Sequence, residues 1–410
     1  MSENSRKSLI LFCQGGAGDV MAHTPMIRAA RKKYPNDEII VAATYAKLLE
    51  GNPNIDVLVH LNDDKEVQDF YVKYVEKRDL RFFKKFFVYD HWKNEAMVGC
   101  KCLPEFIASL YNMKDFYDDP KPDFFATNYE QEAIDAWVTR DPRPIVLLHI
   151  YSATPSENGI QKMLCGVCGG RGVIPQGICP NCNGAGSLIV NRHKTTSLKD
   201  VDPNKIAELI KAHEKTTFDG QPMRWIQIGL EGEPQIPGTE SQLGMDFRDT
   251  CTLIGHPQVK SFIFIESIFA HIAASYAKKG VVIFQNVSSS FFGYDTAVNF
   301  QDMNGCSVGP CNRGITGALM DFEAGYSDPK SKARDLRQCK TWQCSKFDVA
   351  RLNDAFVSTL RAAEKPKVQE RVELSPLEKA RRTPPPPAPV QPEVVPNNVV
   401  NADFTKVEDK

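Results

Sequence analysis

Gln14-Gly15-Gly16-Ala17-Gly18-Asp19-Val20 is the stretch that decides how this chain is read. It follows Leu9-Ile10-Leu11-Phe12, a short apolar run of the kind that forms a buried strand, with glycines to turn the chain at its end. Beyond it, residues from Met21 to Tyr34 read as a helix, and Ile39-Ile40-Val41-Ala42-Ala43 as a second strand. Strand, glycine loop, helix and strand make a βαβ unit of a parallel sheet. The loop then lies at the sheet's carboxyl edge, where backbone N–H groups and the Asp19 carboxylate can face a ligand. A plain strand-to-helix turn capped by Asp19 accounts for the same residues, because a lone glycine loop is a weak motif.

The same alternation continues outward. Val57-Leu58-Val59-His60-Leu61 and Phe86-Phe87-Val88-Tyr89-Asp90 read as further strands, and strands alternating with helices argue a doubly wound α/β sheet. Arg81-Phe82-Phe83-Lys84-Lys85-Phe86 mixes bases with aromatics. It reads as a solvated helix edge with buried Phe, with a nucleic-acid patch as the alternative. Asp141-Pro142-Arg143-Pro144 looks like a linker, and Ile145 to Ile150 opens a second α/β unit. That unit resumes after a cysteine-rich insert with a helix at Pro203–His213, which Asp202 is placed to cap. Strands follow at Trp225–Gly229, Ser261–Ile265 and Val281–Phe284, with a helix from Ile268 to Lys279 that Gly280 should stop.

Composition narrows the class. With 410 residues, two or three domains are expected, and an apolar share of 42% with 25% charged residues is that of a globular protein. Lys+Arg at 50 against Asp+Glu at 51 leaves no global field to recruit nucleic acid or an anionic membrane. No apolar run is long enough to span a bilayer, and the polar start Met1-Ser2-Glu3-Asn4 is unlike a signal peptide, so a cytoplasmic protein is expected.

Cys165-Gly166-Val167-Cys168 and Cys179-Pro180-Asn181-Cys182 each open a C-x-x-C-x-G-x-G repeat. Four thiolates from two such knuckles close a tetrahedral shell, which points to structural rather than catalytic zinc. The repeats resemble the zinc module of DnaJ-type chaperones, although that module has four copies and this chain two. Cys306, Cys311, Cys339 and Cys344 form a looser second set, open to metal binding or to buried thiols. His193 and Lys194 leave the insert as candidate phosphate contacts. From Pro366 onward, nine of the chain's 27 prolines are gathered, as in a disordered tail.

The wording of two segments goes further. The loop ending Gly18-Asp19-Val20, the Thr24-Pro25 pair and the helix Ile27-Arg28-Ala29-Ala30-Arg31-Lys32-Lys33-Tyr34 resemble the opening of the heptosyltransferase-like glycosyltransferases of family 9. Ile265-Glu266-Ser267-Ile268-Phe269-Ala270-His271-Ile272-Ala273-Ala274 resembles that family's donor segment, with Glu266 for the usual Asp and Ile268 where Gly is frequent. Gln285-Asn286 also stands where Gly would follow Phe284.

The resemblance implies a GT-B architecture, two Rossmann-like domains facing across a cleft. Its expected bounds are 1–143 for the acceptor side, 144–365 for the donor side with the insert at 159–190, and 366–410 for the tail. It implies transfer of a sugar, ADP-heptose-like or from another nucleotide sugar, to an acceptor hydroxyl with inversion. Asp19 would be the general base; Gly18, Lys194, Gly229, Glu266, Ser267 and His271 would hold the donor; no catalytic metal is needed. A hydroxymethylated nucleic-acid base as acceptor, and a non-catalytic zinc-bearing binding module, are the alternatives. Glycan, lipid-linked and nucleic-acid acceptors all stay open.

Overall fold

The computed structural model describes residues 7–61 except 14, 70–75, 80–84, 100–152, 160–164, 173–174, 177–178, 187–191, 199–302 except 286, and 346–361. The second cysteine set, the Pro-rich tail, Lys194 and all four knuckle cysteines lie outside these residues.

The first sheet has four parallel strands: β1 (Ser8–Cys13), β2 (Glu38–Ala43), β3 (Val57–His60) and β4 (Leu80–Lys84), in the order β3-β2-β1-β4. Every side chain of β1 is buried, as expected for a strand covered on both faces. The helix read at 21–34 is instead two: α1 (Ala17–Ala22) and α2 (Thr24–Lys33), with His23 at the break. Pro25 explains the division, because proline has no N–H to continue a helix and is at home in a first turn. The basic–aromatic segment is also corrected. Residues 80–84 are the strand β4 rather than a helix edge, while the strand read at 86–90 lies outside the described residues.

Two helices, α3 (Leu103–Leu110) and α4 (Asn128–Val138), lead to the second sheet. A Thr127–Glu130 capping box starts α4, and its Ile134 and Val138 pack in the core of that sheet. The strand β5 (Ile145–His149) is followed by an antiparallel pair, β6 (Ile160–Leu164) with β9 (Ser187–Asn191), and by a smaller one, β7 (Val173–Ile174) with β8 (Gly177–Ile178). Then come α5 (Pro203–Ala212), the short β10 (Thr217–Phe218) and β11 (Gln221–Pro222), β12 (Arg224–Gly229) and β13 (Glu240–Leu243). The chain closes with α6 (Phe247–Gly255), β14 (Val259–Ile265), α7 (Ile268–Ser275), β15 (Val281–Ile283), α8 (Ser289–Phe292), β16 (Val298–Phe300) and α9 (Val349–Arg361).

The second sheet is parallel throughout, in the order β13-β12-β5-β14-β15-β16. Asp202 caps α5 as its position predicts, accepting the Asn204 N–H at 2.9 Å. The helix expected to run to Lys279 ends at Ser275. Ala277 takes a left-handed φ of 52°, and the Lys278 N–H returns to the Ala273 carbonyl at 2.9 Å. Ala277 thus terminates the helix in the position glycine usually fills, before Gly280 is reached.

The winding reverses between β1 and β4 in the first sheet and between β5 and β14 in the second. Open α/β sheets bind ligands at such points, outside the carboxyl ends of the strands. The two halves interlock there. Met21 of α1 belongs to the hydrophobic cluster of the second sheet, and Phe291 of α8 to that of the first. Full burial of each is worth about 1.5–3 kcal/mol. Arg248 of α6 adds a polar strut. Its guanidinium donates to the Glu130 carboxylate, to the Lys47 carbonyl and, at 2.8 Å, to the Phe125 carbonyl.

Candidate active site between the two switch points

On the first-sheet side the glycine loop delivers Asp19 into the first turn of α1. The Gly16 N–H donates to Asp19 Oδ2 at 2.8 Å, so this carboxylate does cap the turn. That amide is therefore committed inside the loop and is not offered to a ligand. The helix keeps Asp19 half-buried while Val20, Met21 and Ala22 go into the core. Thr44, at the end of β2, donates its hydroxyl to the Gly15 carbonyl at 2.9 Å and braces the loop from the next strand.

On the second-sheet side, β14 ends at Ile265 and α7 begins at Ile268, leaving Glu266 and Ser267 at the edge. Ser267 does not cap α7; its hydroxyl meets His149 Nδ1 at 3.2 Å. The first amides of α7 therefore have no side-chain cap from Ser267, at the end of the helix where partial positive charge collects. Glu266 forms an ion pair with Lys199. Burial alone would raise its carboxyl, but the Lys199 ammonium overrides burial and holds it below the usual carboxylate range. His271, one turn into α7, is buried and bonds Tyr294 through Nδ1 at 2.6 Å.

α1 and α7 are neighbours, and the approach is close. A Cβ placed on Gly18 would lie 3.2 Å from His271 Nε2 and 3.9 Å from the Ile268 nitrogen. The lack of a side chain at residue 18 lets the glycine turn sit this tightly against α7, since a Cβ there would require the His271 ring to give by a few tenths of an ångström. Gly18, Asp19, Glu266, Ser267 and His271, named from two distant segments, are thereby brought together.

A second group lies at the carboxyl edge beside them. Glu233, after β12, folds back over Gly229, whose φ of 155° and missing Cβ leave it the space. Both Glu233 carboxylate oxygens are buried without a well-formed hydrogen bond among the described residues, the Leu230 backbone acting on the carboxyl only enough to oppose its rise in part. The Tyr151 hydroxyl and Gln285 Oε1 are likewise unpartnered there. Burial pushes Glu233 up to about 7, with the Asp200 charge adding to it, and pushes Tyr151 up to about 12. Gln285 Nε2 reaches the Asp200 carbonyl at 3.3 Å. Orphaned buried polar atoms at a sheet's ligand-binding edge are what a site looks like when its hydrogen bonds are reserved for a ligand.

Lys199, Tyr151, Glu233 and Tyr294 were not singled out from the sequence, and Gln285 was noted there only as a departure from the family's Gly. Tyr151, Glu233 and Gln285 do share a signal that was there to be read: each lies within four residues beyond a predicted strand end. Among the described residues no group of three or more His, Cys, Asp and Glu side chains is placed to hold a metal ion.

No protein-family model matches the chain, and no curated protein matches it by sequence. Solved structures do. A family 9 glycosyl transferase from Veillonella parvula aligns with a TM-score of 0.56 at 11% identity, covering 88% of this chain and 99% of that one. The iron-containing dodecameric glycosyltransferase TibC from enterotoxigenic E. coli aligns with a TM-score of 0.50 at 14% identity, covering 88% of this chain and 77% of that one. Two parallel α/β sheets with facing switch points form a glycosyltransferase fold of the GT-B-like kind. At these identities the likeness is one of fold. No helix among the described residues is long and apolar enough to cross a membrane.

Proposed function

We propose that the chain is a glycosyltransferase that moves a sugar from a nucleotide-sugar donor to an acceptor hydroxyl. The observation that carries this reading is the meeting of the Asp19 turn with the N-terminus of α7, beside Lys199. A diphosphate there gains the Lys199 ammonium, the uncapped α7 amides and the Ser267 hydroxyl, while a sugar on its far end faces the first-sheet edge. The Tyr151–Glu233–Gln285 group supplies partners for a nucleoside, Glu233 as acceptor for ribose hydroxyls and Tyr151 as donor. The resemblance of the two sequence motifs favours ADP-heptose or a related donor.

In the reaction, the acceptor oxygen attacks the anomeric carbon from the face opposite the diphosphate, so the configuration inverts. Asp19 takes the acceptor's proton as the new C–O bond forms. The old bond breaks with its electron pair on the diphosphate oxygen, where Lys199 and the α7 amides meet the charge. Glu266 holds Lys199 in place. Cytoplasmic location belongs to the same reading, since nucleotide sugars are cytoplasmic metabolites.

A structural zinc on Cys165, Cys168, Cys179 and Cys182 accompanies this reading as a separate proposal. Its support is the strand pairing around them. Leu164 pairs with Ser187 and Val173 with Ile178, so both cysteine segments run between the same two rungs. Four thiolates would leave no open position, which gives the metal a folding role and no catalytic one.

The test is a panel of nucleotide sugars screened by thermal shift, followed by donor turnover. A ligand at 100 times its Kd stabilises the fold by about 2.7 kcal/mol, which is readily seen. One sugar nucleotide that raises Tm and is consumed supports the reading; a panel that leaves Tm unmoved overturns it.

A further inference from the structure

We propose that Tyr294 is a positioning residue that fixes His271 in the tautomer carrying its proton on Nε2, making the ring a neutral donor aimed at the Gly18–Asp19 turn. The inference deepens the glycosyltransfer reading and, for its catalytic consequence, rests on it.

Both side chains are buried, His271 at 4% exposure and Tyr294 at 6%, so their protons must be accounted for within the protein. Burial raises the Tyr294 hydroxyl well above its ordinary value and lowers His271, so the pair is a neutral phenol against a neutral imidazole. A neutral imidazole has one N–H and one acceptor nitrogen. The short contact joins Tyr294 Oη to Nδ1 at 2.6 Å. If Nδ1 carried the proton, the ring would donate to the phenol oxygen and the buried phenol O–H would need another acceptor. With the phenol donating, the O–H is satisfied and the proton of the ring is placed on Nε2. The rings stand edge to face, 77° apart with centroids at 5.5 Å, which holds this geometry by packing as well.

The other edge of the ring is what the cleft meets. Nε2 and Cδ2 are its atoms nearest Gly18, at 3.2 and 3.3 Å from where a Cβ would be, and the Ile268 amide nitrogen lies 3.9 Å from the same point. An Nε2–H there joins the α7 amide as a second donor toward an oxygen of the diphosphate. Neutrality matters as much as direction. The charged groups that act on His271 are Glu266, Asp19 and Lys199. An imidazolium so close to Asp19 would pair with its carboxylate and weaken it as a base. A neutral ring donates a hydrogen bond without doing so, and leaves the positive charge to Lys199.

The experiment is long-range ¹H–¹⁵N NMR of the full chain labelled at histidine, with His271 assigned by its loss in His271→Asn. The wild-type ring is expected as the Nε2–H tautomer at neutral pH, before any donor is added. Tyr294→Phe should populate both tautomers and lower kcat about tenfold, the worth of one hydrogen bond near 1.4 kcal/mol, with little change in donor KM. An Nδ1–H tautomer in the wild type overturns the proposal without reference to any variant. An unchanged tautomer in Tyr294→Phe overturns it too, whatever happens to turnover. Because the spectrum needs no donor, failure of every nucleotide sugar would count against the glycosyltransfer reading alone.

Discussion

Gly18 and His271 touch across the two halves of the molecule, so closely that a Cβ at 18 would lie 3.2 Å from the imidazole Nε2. Gly18 sits in the first turn of α1, where alanine is favoured over glycine by up to about 1 kcal/mol, the helix-interior value. Gly18→Ala should therefore leave Tm within a few degrees of wild type, because helix propensity offsets the crowding. Turnover should fall at least about tenfold as the ring is displaced, since small misplacements at a reacting centre are costly. Gly18→Val should lose both. Differential scanning fluorimetry beside a turnover assay checks this; an alanine variant with full activity would show that the contact is packing alone.

Asp19 holds two duties that substitution can separate. Its Oδ2 accepts the Gly16 N–H at 2.8 Å, and an asparagine oxygen can do the same. Asp19→Asn should keep the cap and the fold but lose about 10²–10⁴ in kcat, the usual worth of a general base. Asp19→Ala should lose both, with the missing cap costing about 1 kcal/mol. Equal turnover in wild type and Asp19→Asn would leave the residue as a cap and nothing more.

Glu233 should make unliganded stability fall with rising pH. Its folded carboxyl is raised to about 7 by burial, above the ordinary carboxylate value of the unfolded chain. The protonated form is the one the fold favours, so its contribution is complete below about pH 4.5 and is lost as pH rises through 7. Glu233→Gln should therefore be more stable than wild type at pH 8, by about 1–2 kcal/mol after allowance for partial exposure, and similar at pH 5. Donor binding should move the other way, weakening in the variant because ribose hydroxyls lose an ionised acceptor. Melting curves at the two pH values, with and without nucleotide sugar, separate the effects.

One zinc per chain should be found by elemental analysis of purified protein. Cys168→Ser should lose most of it, since three thiolates hold the ion far less tightly than four. Both α/β sheets should still fold, because neither draws a strand from β6 to β9, the four strands of the insert region. Full zinc occupancy in that variant would refute the four-sulfur site.

The parallel α/β character of both halves was legible in the sequence, because it is written in local features. Continuous apolar runs mark strands covered on both faces, as in β1, β5 and β14, and turn residues mark their ends. The carboxyl-edge position of Asp19, Glu266 and Ser267 followed from the same patterns. Where local signals were weak or contradictory the reading slipped. The strand β13, Glu240-Ser241-Gln242-Leu243, is polar at three of its four positions and exists because β12 offers it an edge. The strand β4 carries two aromatics and two bases, and is a strand by pairing with β1 rather than by pattern.

What only the tertiary structure decided is which residues meet. Gly18 abuts His271 because Met21 and Phe291 pack into each other's cores and draw α1 onto α7. The cation paired with Glu266 is Lys199, whereas the sequence had pointed to Lys194 as the phosphate contact near the insert. The Tyr294 hydroxyl reaches His271 through a loop that carries no motif. Local sequence sets the strand, turn and helix that carry each side chain. Contacts between distant segments depend on how whole layers pack, and that is a property of the summed burial rather than of any stretch of residues.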